Sequence, residues 1–135
     1  MAKRKKFEIR FYEGILKKSP NLVEALICLG DAYTNEGFFV EGLAIDRKIV
    51  GLRPNDSVAW YNLSCSLSIL GKISQALSKL KKAVLLGYED FSHMLSDPDL
   101  ENLRNLPEFD NFFAELKLLA RRPKRCNLQK KEENT

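Results

Sequence analysis

Residues 25–43 read ALICLGDAYTNEGFFVEGL, and residues 59–77, 34 positions later, read AWYNLSCSLSILGKISQAL. At that offset Ala25 falls on Ala59, Leu29 on Leu63, Gly37 on Gly71, Leu43 on Leu77, Lys48 on Lys82, Val50 on Val84 and Leu52 on Leu86. The coincident residues are mostly apolar or glycine, which marks a repeated packing unit and not a repeated active site. A unit of this size cannot bury its apolar face alone, so its copies must stack on one another. The 135 residues then make a single domain, and 44% hydrophobic content is enough for its core.

Helical periodicity runs through almost every segment, and no alternating run is long enough for a strand. A first helix spans 4–18, with Phe7, Phe11, Ile15 and Leu16 on one face and Pro20 as its stop. A second starts at Asn21, which stands three residues before Glu24 as in a capping box, and is closed by Gly37. The third covers 38–52 and stops before Pro54. The fourth is capped by Asp56 and ends at Gly71, and the fifth covers 73–86 and ends at Gly87. Beyond Tyr88 the spacing fades. Asp97-Pro98 and Leu106-Pro107 predict a short helix over 98–104 and a longer one over 107–120, each with proline at its first position. Phe109, Phe112, Phe113, Leu116 and Leu119 give the last helix a wide apolar stripe. Unless both Phe112 and Phe113 are covered by the fifth helix, that stripe drives self-association.

A 34-residue period of two helices and a glycine turn resembles the tetratricopeptide repeat, whose pattern is W-x2-L-G-x2-Y, then A-x3-F, then P. The first unit carries Leu26, Leu29, Gly30, Tyr33 and Pro54; the second carries Trp60, Leu63, Leu67, Ala76, Leu80 and Ala83. Ile15 and Pro20 fall where Ile49 and Pro54 stand when shifted by 34, so the first helix resembles the second half of a preceding repeat. Asp97, Pro98, Asp99, Leu100, Leu103, Arg104, Pro107 and Phe109 are similar to the closing segment of some bacterial arrays. The resemblance implies an all-α fold, a right-handed superhelical stack of antiparallel helix pairs. Its parts are an N-terminal half-repeat at 1–20, repeats at 21–54 and 55–88, and a divergent capping segment at 89–122. A basic, disordered tail is expected over 123–135. Two departures stand out: Gly42 where the family prefers alanine, and Asp46 where it prefers a large apolar residue. The second implies a rotated third helix, with Ile45 and Ile49 supplying the contact.

In such arrays the first helix of each pair lines a concave groove that grips a peptide or helix of another protein. Carried over, the groove-facing positions are Ile27, Cys28, Asp31 and Asn35, then Tyr61, Asn62, Cys65 and Ile69. Asn62 can donate to and accept from an extended backbone whatever its side chains, and Tyr61 would be an aromatic anchor. The members that clamp the acidic C-terminus of heat-shock chaperones have a basic groove. Of their positions only Asn62 is matched here. Asp31 replaces an asparagine, and Ser92 and Ser96 replace basic residues.

Charge points to the partner. Residues 3–6 carry +4 and residues 117–135 carry +5; since the chain totals +4, residues 7–116 carry −5. An acidic body favours a neutral or basic partner segment. The basic ends, KRKK and RRPKRC, offer a rival function, the binding of nucleic acid or an anionic surface. Three dispersed cysteines, Cys28, Cys65 and Cys126, with one histidine, His93, suggest neither a disulfide framework nor a metal, and no cofactor is expected. No nucleophile and base stand together in sequence, so no enzyme is expected. His93 reads as a packing or surface residue, and Asp97, Asp99 and Glu101 as helix-start residues. No apolar run suits a membrane span or a leader peptide, and the expectation is a soluble cytoplasmic protein.

Overall fold

The computed structural model describes residues 2–121, with side chains from residue 7 onward. The expected tail at 123–135, Cys126 and the side chains of KRKK lie outside the described residues. What is described is all-helical: α1 (Ala2–Lys18), α2 (Val23–Asn35), α3 (Phe39–Leu52), α4 (Ser57–Ile69), α5 (Ile73–Leu85), α6 (Phe91–Ser96), a 3-10 turn (Pro98–Leu100), α7 (Glu101–Arg104) and α8 (Phe109–Arg121). Among the described residues no helix is long and apolar enough to cross a membrane.

The 34-residue offset reappears in the backbone. The helices α2, α4 and α6 begin at Val23, Ser57 and Phe91, and α3 and α5 begin at Phe39 and Ile73. The turns between partners are alike in their bonds. Phe38 N donates to Tyr33 O at 2.8 Å and Lys72 N to Leu67 O at 2.9 Å, and the turn that leads from α5 to the next helix, α6, uses the same bond, Tyr88 N to Ala83 O at 3.0 Å. Each turn needs a left-handed residue, supplied by Gly37, Gly71 and Gly87 at φ of 83°, 76° and 113°. Asp56 caps α4 by accepting from the amides of Val58 and Ala59, and 34 residues on Asp90 caps α6 by accepting from that of His93.

Four local expectations are corrected. Asn21 does not cap α2. A turn closed by Leu22 N on Ser19 O at 3.2 Å puts Leu22 at the N-cap without a side-chain bond, and Glu24 faces Arg53 at 3.5 Å. The helix α6 is an addition that the spacing does not predict, because six residues reading FSHMLS carry little periodicity. It ends where Asp97 takes an extended conformation (ψ 116°), as a residue before proline prefers. The 98–104 segment divides into the 3-10 turn and α7, and α8 begins at Phe109, with Pro107 in the preceding turn.

One apolar core runs from α2 to α8 and includes the fully buried Leu26, Leu67, Leu80, Met94, Leu100, Leu103 and Leu116. A smaller cluster of Ile9, Leu29 and Ala32 joins α1 to α2. Phe113 stacks on Phe109 at 5.8 Å and meets Phe91 of α6 edge-on at 5.7 Å, so α6 helps α5 cover the stripe of α8. Phe112 and Phe113 are each half-buried. Gly42 is tighter than its sequence setting suggests, since a Cβ there would lie 3.2 Å from Thr34 Oγ1.

Candidate functional site

A groove of about 480 Å³ opens between α2, α4 and α6. Its walls come from α2 (Gly30, Asp31, Thr34, Asn35), α4 (Tyr61, Asn62, Cys65, Ser66, Ile69) and α6 (His93), with Asp97 and Asp99 from the loop beyond and Asp46 from α3. Among the described residues no lysine or arginine lines it.

Six of the eight residues expected at the groove do line it, in two different roles. Asp31, Asn35 and Asn62 are exposed and Ile69 is half-buried, so their side chains can meet a ligand. Tyr61 and Cys65 form the floor, at 3% and 6% exposure. The Tyr61 ring lies flat on Tyr88 at 4.1 Å, and its hydroxyl donates to Asp97 Oδ2 at 2.7 Å. Tyr61 is therefore a packing residue and not the exposed anchor expected. The remaining two fall outside. Cys28 lies beside Tyr12 of α1, whose phenol it raises in pKa, and Ile27 stands 43% exposed away from the groove. Cys28 faces α1 because α1 packs against that flank of α2.

Sequence reasoning missed Gly30, Thr34, Ser66 and His93 on the walls and, of most consequence for charge, the carboxylates of Asp46, Asp97 and Asp99. Asp46 turns into the groove and accepts from the Ser66 hydroxyl on α4. As expected, Ile45 and Ile49 supply the apolar contact of α3, Ile49 buried and Ile45 half-buried against the core, while Asp46 faces a polar partner. Burial raises its carboxyl to about 6, with the charge of Asp31 adding to the rise and the Ser66 bond opposing it. Burial also raises Asp31. Asp99 is raised by burial first and by the Asp97 charge next, against the opposing pull of His93.

Asp97 is a hub. Its Oδ2 accepts from Tyr61 at 2.7 Å and from the Cys65 thiol at 3.6 Å, and lies 3.2 Å from His93 Nε2. Its Oδ1 accepts from the Asp99 amide at 3.0 Å, and its backbone carbonyl accepts from Arg104 at 2.6 Å. The fold thus gathers a cysteine, a histidine and an aspartate that sequence spacing keeps apart. Their order is wrong for nucleophilic catalysis. The carboxylate stands between thiol and imidazole, and burial followed by the Asp97 charge raises the Cys65 thiol far above its ordinary value. An attacking cysteine needs a depressed pKa and an adjacent base. Among the described residues no three His, Cys, Asp or Glu side chains converge as metal ligands.

Asp46 predicts an opposition between stability and charge. Its folded value of about 6 lies above the ordinary 3.8, so its stabilising contribution is complete below the lower value and is lost as pH rises through the upper one. Asp46→Asn is therefore expected to be more stable than the wild type by about 1 kcal/mol at neutral pH. The gap should narrow as pH falls between the two values. Urea unfolding of both proteins across that range checks this, and a gap that widens on acidification would contradict it.

No family model matches the chain. A stretch of 84 residues is 39% identical to a chloroplastic protein of Arabidopsis thaliana. The match covers 60% of this chain and 25% of that protein, so the chain spans about a quarter of the relative's length.

Proposed function

We propose that this chain is a non-catalytic interaction module of tetratricopeptide-repeat type, an adaptor, scaffold or assembly factor. Its groove takes a basic or neutral peptide or helical segment of a partner protein. Helix pairs starting 34 residues apart, closed by equivalent glycine turns, support the repeat assignment and the right-handed superhelical stack that goes with it. The observation that carries the function is the groove itself, lined by Asp31, Asp46, Asp97 and Asp99 with no lysine or arginine among its described walls. Exposed Asn62 adds the means to bond a peptide backbone at any sequence. The neutral, buried thiol of Cys65 argues against covalent catalysis at the same place.

The test is capture of a partner protein from nuclease-treated native lysate by the wild type and by Asn62→Ala. Loss of Asn62 should weaken binding of the identified partner about tenfold, the value of one or two backbone hydrogen bonds, without changing helicity. Equal affinity of the two proteins would move the site out of this groove. As for location, the relative's name assigns that protein to the chloroplast, and this stands as a rival to the cytoplasmic expectation. Imaging the fluorescently tagged full-length gene product separates the two.

A further inference from the structure

The helix α1 is built on two opposed faces. Ile9, buried, with Tyr12 and Leu16 turns it toward α2, where Ile9 joins Leu29 and Ala32. The opposite face carries Phe7 and Phe11, one turn apart and 67% and 54% exposed. Their rings stack on each other at 6.4 Å, so they form one apolar ridge. Next along this stripe is Gly14, with open space above it, and Phe11 meets the ring of its neighbour Tyr12 edge-on at 5.2 Å while staying more than half exposed. Two exposed phenylalanines at helical spacing are an unusual surface to leave in water.

Charge identifies what would cover them. From residue 2 to 18 the sequence holds Lys3, Arg4, Lys5, Lys6, Arg10, Lys17 and Lys18 against Glu8 and Glu13, a net +5. Because the chain totals +4, everything after α1 sums to −1. Residues 117–135 carry +5 of their own, so residues 19–116 sum to −6, and up to residue 116 the positive charge is concentrated on the helix that exposes the aromatic ridge. Arg10, Lys17 and Lys18 are all exposed on that helix. An aromatic ridge on a strongly basic helix is the chemistry of a helix lying in the headgroup layer of an anionic membrane. Duplex nucleic acid would satisfy the cations but has no apolar layer for Phe7 and Phe11.

We infer that α1 docks this protein on an anionic lipid surface, with Phe7 and Phe11 entering the boundary of the acyl region and the flanking Lys and Arg side chains meeting the headgroups. The groove plays no part in this contact, so the inference stands or falls apart from the partner-binding proposal.

The test is co-sedimentation of the whole chain with phosphatidylcholine vesicles, with and without phosphatidylglycerol, at low and high salt. Expected are binding only to the anionic vesicles, weakening with salt, and a loss of about tenfold or more in partition for Phe7→Ser/Phe11→Ser. Circular dichroism must show the helicity of that variant unchanged, and Phe11→Leu, which keeps an apolar group, must still bind. Three results would overturn the inference. One is no binding to anionic vesicles. Another is binding that the double serine variant retains, which would assign it to the basic sequence alone. The third is equal binding to duplex DNA with the same dependence on Phe7 and Phe11.

Discussion

Asp97→Ala should lower the free energy of unfolding by about 3 kcal/mol, the largest effect expected from any single polar residue here. The truncation removes the acceptor of the Tyr61 hydroxyl, the Cys65 thiol and the Asp99 amide in one step. Tyr61 and Cys65 are both buried, so neither finds water in exchange. Hydrogen bonds to a charged group are worth roughly 1.5–3 kcal/mol each, but the members of a network do not add. A double-mutant cycle in urea with Tyr61→Phe isolates the coupling. Tyr61→Phe alone should remove about 1.5 kcal/mol, and the pair should lose less than the sum of the single losses. If Asp97→Ala unfolds within about 0.5 kcal/mol of the wild type, the hub contributes nothing and the loop beyond α6 is held by packing alone.

Leu116→Ala should cost a comparable amount, about 3 kcal/mol, for a different reason. Leu116 is fully buried where α8 meets the core, and its truncation leaves a cavity that its neighbours cannot close without moving whole helices. Two residues on, Leu118 is 64% exposed, and Leu118→Ala should change stability by no more than about 0.5 kcal/mol. The comparison is made by chemical denaturation with both variants in parallel. Equal, small effects would mean that α8 is not part of the cooperative unit.

The parts of this molecule legible in sequence are those where one residue suffices for one structural task. Gly37, Gly71 and Gly87 end their helices because only glycine takes their dihedral angles at no cost, and Asp56 caps α4 through its own side chain. The groove is legible only in part. Asn62 and Asp31 project from the face that helical spacing gives them, but whether Tyr61 is an anchor or a floor depends on Tyr88 and Asp97, which come 27 and 36 residues later. Asp46 is conspicuous as a carboxylate at an apolar position. Its use cannot be read without Ser66 on the neighbouring helix. The absence of any local cysteine–histidine pattern likewise conceals that Cys65 and His93 share the Asp97 carboxylate, since spacing along a chain says little about contacts between successive helix pairs.

The position of Asp97 has a consequence for how this protein can be divided. The five helices before α6 make two pairs and a half, which invites the view that the groove belongs to those helices and that the C-terminal third is a detachable lid for the core. The groove does not divide there. A chain ending before His93 would keep Asp31, Asn35 and Asn62 but would lose His93, Asp97 and Asp99 from the far wall, and would turn the Tyr61 hydroxyl and the Cys65 thiol toward solvent. Any proteolytic nick, splice boundary or engineered truncation in that interval would therefore alter the groove as well as the fold, and the smallest segment that keeps every wall of the groove extends through Asp99.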